Sequence, residues 1–133
     1  MAISKERKNQ LMAWADDVIR HSGIYDGTKK EIISDSYNGQ IAAFSVSVAL
    51  SGLKPAMALY YSGKGSSDVD KKIIIELLAA MYSKENNQTN TEAFFQQVIR
   101  ANEDALVVLQ KKIIEYGIAL KLAVRTFTFK GHE

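Results

Sequence analysis

Residues 37–61 read YNGQIAAFSVSVALSGLKPAMALYY, and this stretch decides the fold because it is almost uncharged yet carries a Gly-Leu-Lys-Pro break. It holds too many apolar groups for a solvated helix, so we expect it to be buried as the central helix of a core. Pro55 lacks a backbone N–H and clashes with the carbonyl four residues earlier, so the helix must kink near Gly52 or restart with Pro55 in its first turn. The apolar side chains are Ile41, Phe44, Val46, Val48, Leu50, Leu53, Met57, Leu59 and Tyr60.

A membrane span is the competing interpretation of this stretch. Crossing a bilayer takes about 20 apolar residues, whereas only residues 41–53 lack a charge. Lys54 and Pro55 would then lie deep in the hydrocarbon, where a charged side chain is costly. The sequence therefore predicts a core helix and no contact with a membrane.

Length and composition narrow the class of protein. A chain of 133 residues is expected to form one domain, residues 1–133. Its formal net charge of +2 creates no global field of the kind that marks nucleic-acid binders, so any basic patch must be local. The absence of cysteine removes disulfides and thiolate metal sites. The N-terminal charges are followed by Asp16 and Asp17 rather than by an apolar signal core, and we expect a cytoplasmic protein.

The long segments are rich in helix formers and contain a single proline, which predicts an all-α bundle of about five to six helices. Their starts are set by capping residues, including a capping-box spacing from Thr28 to Glu31. The predicted helices run from Ser4 to about His21, from about Thr28 into the opening stretch, from an Asp68 cap through Val69 to Ser83, from Thr91, and from Glu103 to the end.

The last helix is predicted to be the longest. From Leu106 its apolar residues recur every three or four positions for about six turns. Ile114, Ile118 and Leu122 widen this stripe, so we expect the helix to be packed on several sides. Residues 125–130 also alternate like a strand, but no partner strand is visible in the sequence, and helix remains the main interpretation.

The sequence offers little for catalysis or metal binding. His21 and His132 are the only histidines and lie at opposite ends of the chain, without acidic ligands at helical spacing. The glycines and lysine of residues 63–66 lack the spacing of a phosphate-binding loop, which favours a linker. We therefore predict no catalytic residue, no metal and no cofactor.

One pattern supports an alternative enzymatic hypothesis. Arg125 and His132 are separated by six residues, which resembles the R-x4–6-H motif of HEPN ribonucleases. That resemblance implies metal-independent cleavage of RNA, using its own 2′-hydroxyl and usually two subunits. However, His132 is the penultimate residue of a tail that should fray, whereas a catalytic imidazole must be held in place.

Lysines near the bend are candidates for binding RNA phosphates. Lys54 and Lys64 flank the bend and the connector that follows it, and they would form one phosphate-facing patch with Lys71 and Lys72 if the fold brings them together. Tyrosine rings nearby could stack on bases. The candidates for contacting RNA or a protein partner are Lys54, Lys64, Lys71, Lys72, Lys121 and Arg125.

Two stretches resemble a known family. Residues 51–60, SGLKPAMALY, and residues 115–127, EYGIALKLAVRTF, are similar to helices of the small subunit of Cmr, the type III-B CRISPR RNA-guided effector complex. The resemblance implies a small all-α protein without enzymatic activity, stacked in more than one copy beside the backbone subunits that hold the guide RNA. It also implies contacts with the large subunit and with the guide–target duplex. A stand-alone helical adaptor is a further alternative.

Overall fold

The computed structural model describes residues 4–34, 36–62 and 71–130, and these form six helices and three two-residue strands. The predicted all-α bundle with a long last helix is confirmed. The elements are α1 Lys5–Arg20, β1 Tyr25–Asp26, β2 Glu31–Ile32, α2 Ser36–Ser51, α3 Leu53–Ser62, α4 Lys72–Glu85, α5 Thr91–Ile99, α6 Glu103–Val124 and β3 Thr128–Phe129.

Side-chain caps fix the starts of three helices. Ser4 accepts a hydrogen bond from the Arg7 amide at 3.1 Å, which confirms the predicted start of α1. Asn90 and Asn102 cap α5 and α6 in the same way, so the predicted starts of the last two helices are also confirmed. The predicted cap Asp68 lies outside the described residues.

The opening stretch forms two helices that meet at Gly52. α2 ends at Ser51, and Gly52 adopts a φ of +91°, a conformation that a residue with a Cβ rarely adopts. α3 restarts at Leu53, with Pro55 in its first turn, where the missing N–H costs no helical hydrogen bond. Of the two predicted alternatives, the restart is therefore correct. The two helices turn back on each other, since Phe44 and Tyr60 pack edge to face at 5.1 Å.

Gly52→Ala is expected to lower the free energy of unfolding by about 1–2 kcal/mol, because alanine is strained at a positive φ. Space is not the cause, since a Cβ at Gly52 would come no closer than 3.8 Å to Pro55. Gly39→Ala is the matched control, because Gly39 lies inside α2 with no atom near a new Cβ, and alanine should stabilise the helix there. Urea unfolding measures both variants, and equal effects would contradict the prediction.

The core lies between the inner faces of the helices, with Leu53, Met57 and Tyr116 almost completely buried. The prediction that the whole opening stretch is buried is wrong, because only one face of each helix is covered. α6 likewise has an open side. The described part of the chain contains no helix long and apolar enough to cross a membrane. The exposed apolar side chains of these helices are Val46, Leu50, Leu59, Val107, Val108, Ile114, Ile118 and Leu122.

The segment between α1 and α2 corrects a second prediction. Thr28 does not begin a helix, because the Asp26 side chain accepts hydrogen bonds from the amides of Thr28 at 3.0 Å and Lys29 at 3.3 Å. This turn joins β1 to β2 as an antiparallel hairpin. Glu31, which the capping-box spacing assigned to a helix, lies in β2 instead.

The end of the chain corrects a third prediction. α6 ends at Val124, and residues 128–129 form β3, which pairs parallel with β2. Ile32 lies opposite Phe129 in this pairing and is completely buried. Phe127 contacts the Tyr25 ring edge to face at 5.4 Å. The helical interpretation of residues 125–130 is therefore wrong, and the partner strand is the segment that had been assigned to a helix.

Candidate functional site

The relative direction of the helices determines which candidate residues share a region. α6 lies against α2 so closely that a Cβ on Gly117 would come within 3.2 Å of the Ser45 hydroxyl. Lys54, just beyond the C-terminus of α2, reaches the Ala101 carbonyl just before α6. The two helices are therefore antiparallel, and the C-terminus of α6 lies at the same end of the bundle as the N-terminus of α2.

Lys71 and Lys72 lie at this same end, at the start of α4. The Lys71 ammonium lies 5.6 Å from the centre of the Tyr60 ring, and that of Lys72 lies 4.6 Å from the centre of the Tyr61 ring. Tyr61 is stacked on Phe95 with ring centres 3.9 Å apart. Attraction between cation and ring holds each ammonium beside an aromatic surface. The arrangement provides two positive charges next to a half-buried aromatic pair.

Tyr60 and Tyr61 differ in what they offer to a ligand. Tyr60 is 2 % exposed and its hydroxyl donates to the Gln40 side chain at 3.3 Å. Burial raises the pKa of Tyr60, so its phenol stays neutral and acts as a packed support for Lys71. Tyr61 is half-buried, so this residue, unlike Tyr60, remains partly accessible to solvent.

Lys121 and Arg125 lie on the last turns of α6, which places them at the same end of the bundle as Lys71 and Lys72. Lys121 is half-buried one turn beyond Gly117, on the side of α6 that faces α2, and Arg125 is exposed at the C-cap. The fold thus brings four of the six candidate cations to one end of the molecule, on two different helices.

The two remaining candidates do not join this group. The Lys54 ammonium donates to the Ala101 carbonyl at 2.8 Å and so ties α3 to the connection between α5 and α6. Lys64 lies outside the described residues. His132, the second member of the proposed ribonuclease motif, also lies outside them, so the geometry of that motif with Arg125 is not described.

A cluster of charged side chains that sequence reasoning missed lies towards the other end of the bundle. Arg7 of α1 donates to both carboxylate oxygens of Glu85 in α4 and, at 2.8 Å, to Glu115 in α6. The Tyr116 hydroxyl donates to Glu85 at 2.5 Å, and the Lys112 ammonium lies 4.0 Å from the same carboxylate. These contacts join three helices that are far apart in sequence.

The cluster shifts the pKa values of its members. Burial raises the pKa of Glu85, but hydrogen bonds from Arg7 and Tyr116 outweigh it, so the pKa is lowered overall. The hydrogen bond to Glu85 raises the pKa of Arg7, and burial raises that of Tyr116. Arg7 and Glu85 therefore remain charged and Tyr116 neutral near pH 7, which suits a structural clamp between α1, α4 and α6.

His21 ends α1 as an exposed residue, and its ring Nδ1 lies 2.8 Å from the Asp17 carbonyl. Across residues 4–34, 36–62 and 71–130, no group of three or more histidine, cysteine or acidic residues is placed so that it could hold a metal ion. The site described by the geometry is thus a cationic and aromatic surface.

Comparison with known proteins identifies the family. Residues 4–127 match a family described as CRISPR-associated protein (Cas_Cmr5). Neither the curated proteins nor the solved structures include a significant match. The family match covers nearly all of the described chain, and it confirms the resemblance to the small subunit of the type III-B Cmr complex. The chain therefore belongs to the Cas_Cmr5 family of CRISPR-associated proteins.

Proposed function

We propose that this protein is the non-catalytic small subunit of a type III-B CRISPR effector complex in the cytoplasm. It stacks in more than one copy beside the backbone subunits, contacts the large subunit and helps to hold the duplex of guide and target RNA in antiviral defence. The observation that carries this proposal is the family match over residues 4–127. The cations at one end of the bundle support a role in contacting RNA.

The RNA contact is assigned to Lys71 and Lys72. Each ammonium lies beside a tyrosine ring, so it loses less conformational freedom on meeting a phosphate than a lysine extended into solvent. The stacked Tyr61 and Phe95 rings form a rigid support for Lys72. Lys121 and Arg125 extend the positive charge along α6, towards RNA or a neighbouring subunit.

Lys71→Glu combined with Lys72→Glu is expected to weaken binding of the assembled complex to a guide–target duplex by about tenfold or more at low salt. The slope of log affinity against log salt should fall by about 2 for each copy of the subunit that contacts the duplex, because each copy loses two phosphate contacts. Filter binding or fluorescence anisotropy across a salt series measures both quantities. Co-purification with the backbone subunits shows whether the variant still assembles.

The matched control is Lys29→Glu combined with Lys30→Glu, since these lysines are an exposed adjacent pair in the turn between β1 and β2. The control makes the same change in net charge outside the proposed surface. If both double variants weaken binding equally, the effect is one of net charge and Lys71 and Lys72 do not form the contact. Unchanged binding by the first variant would likewise contradict the assignment.

A further inference from the structure

The outer surface of α2 and α6 is unusually apolar for a solvent-facing surface. Within the described residues, seven of the nine exposed large apolar side chains lie on these two helices, so the exposure is concentrated on one region. α2 carries no charged residue at all, and Leu50 on its outer face is 82 % exposed. Exposed apolar side chains concentrated on two neighbouring helices are typical of an interaction site.

Along α6, seven of the exposed residues form one stripe. Their spacing of four, four, three, four, four and three residues keeps them within an arc of about 100° on the helix surface. The stripe lies opposite the buried side that includes Tyr116 and Leu120. Its members, each exposed, are Glu103, Val107, Lys111, Ile114, Ile118, Leu122 and Arg125.

The charges at the two ends of the stripe are arranged symmetrically about its centre. Glu103 lies eleven residues before Ile114, and Arg125 lies eleven residues after it. Neither Glu103 nor Arg125 has an ion-pair partner within the described part of the chain. The stripe therefore has an acidic residue at one end, a basic residue at the other, and mainly apolar residues with Lys111 between them. Its two ends are complementary when one copy is reversed.

We propose that this stripe is the contact surface for a second copy of the chain, with the two α6 helices antiparallel and a two-fold axis at Ile114. Glu103 of one copy then lies opposite the partner's Arg125, and the same pair forms again at the other end. Val107 lies within one residue of the position opposite the partner's Leu122. A parallel arrangement would instead place like charges beside each other at both ends.

Two further features fit a second copy. A groove of about 460 Å³ between α1 and α6, lined by Leu11, Met12, Ile118 and Leu122 among others, runs beside the stripe and can receive the partner's Val107. The stripe runs for about 33 Å along α6.

This pairing specifies one contact for the self-association that is part of the proposed function. It rests on the proposed function only for the expectation that copies of the chain associate. A two-fold contact closes on itself and yields dimers, whereas a stack that continues needs a head-to-tail contact on another surface. The test uses the isolated chain without RNA or other subunits, so its failure is distinguishable from failure of the proposed function.

Charge reversal at each end of the stripe tests the pairing in analytical ultracentrifugation. Wild type should be a dimer, and Glu103→Arg alone or Arg125→Glu alone should raise the dimer dissociation constant about tenfold or more, because each homodimer then contains two like-charged pairs. An equimolar mixture of the two variants should dimerise again, because both pairs in the mixed dimer are of opposite charge. The double variant should also dimerise.

Glu76→Arg is the matched control, since Glu76 is an exposed residue of α4 outside the stripe, and it should dimerise like wild type. Recovery in the mixture also excludes misfolding of the single variants as the cause of their loss. The pairing is overturned if wild type stays monomeric at several hundred micromolar, if the single variants dimerise like wild type, or if the mixture stays monomeric.

Discussion

Leu53→Ala is expected to lower the free energy of unfolding by about 2–5 kcal/mol, the range for removing a buried leucine side chain and leaving a cavity. Leu53 is 2 % exposed at the first position of α3, directly after the Gly52 turn. The backbone on either side is fixed by that turn and by the helix, so the site has little freedom to collapse around the smaller side chain. Urea unfolding with a shared m-value measures the loss.

Leu50→Ala is the matched control for this prediction. The same chemical change is made three residues earlier, at a side chain that is 82 % exposed, so the free energy of unfolding should change by no more than about 0.5 kcal/mol. If both variants lose the same stability, Leu50 is buried in solution. Leu50→Ala should be measured at low protein concentration, where association through the outer face of α2 is negligible.

The contrast between Leu50 and Leu53 also shows where prediction from the sequence stopped. The break at Gly52 and Pro55 was predictable, because proline chemistry and a flexible glycine restrict the chain locally. Which face of α2 is buried was not, because Val46 and Leu50 are as apolar as Phe44 and Val48, and no charge marks the outer side. In the sequence, an exposed apolar face without charges looks the same as a buried one.

The small sheet was missed because its evidence is not local. Residues 128–129 alternate like a strand, but the partner strand at residues 31–32 is nearly a hundred positions away. The Thr28 and Glu31 spacing matched a capping box, although the Asp26 side chain satisfies the Thr28 and Lys29 amides and closes a turn instead. Because the segment from Thr28 was assigned to a helix, no partner strand for residues 128–129 was apparent in the sequence.

The candidate site was predicted in part. Lys71 and Lys72 follow tyrosine-bearing α3 in the chain, and the fold does bring them to the Tyr60 and Tyr61 rings. Lys54 was selected for its place beside the bend, but its ammonium is bonded to the Ala101 carbonyl. No sequence spacing connects positions 7, 85 and 115, so the charged cluster that they form could be found only from the three-dimensional structure.

Arg7→Met is expected to destabilise the protein by about 1–3 kcal/mol at pH 7, because it leaves the Glu85 and Glu115 carboxylates partly buried without their shared cation. Their side chains are 19 % and 13 % exposed, so water can replace little of the lost contact. Glu85→Gln should cost a similar amount, since it weakens the bonds to Arg7 and Tyr116 together. A double-mutant cycle of the two changes, followed by urea unfolding, should give a coupling energy of about 1 kcal/mol or more.

The effect of Glu85→Gln should depend on pH in a defined direction. The pKa of Glu85 is lower in the folded state than its usual value of 4.5, so the charged carboxylate stabilises the fold above that value and the contribution is lost as the pH falls. Wild type and variant should therefore differ most near pH 7 and converge as the pH falls below 4.5. Glu76→Gln is the control, because it makes the same substitution on the exposed side of α4, outside the cluster around Arg7. A constant difference between wild type and Glu85→Gln from pH 3 to pH 7 would show that the carboxylate acts through packing alone.

The pKa of Tyr116 is raised in the folded state, so stability should depend on pH in the opposite direction at high pH. The contribution of the neutral phenol to the free energy of unfolding is complete below about pH 10 and is lost as the pH rises further. Tyr116→Phe should reduce this loss of stability at high pH.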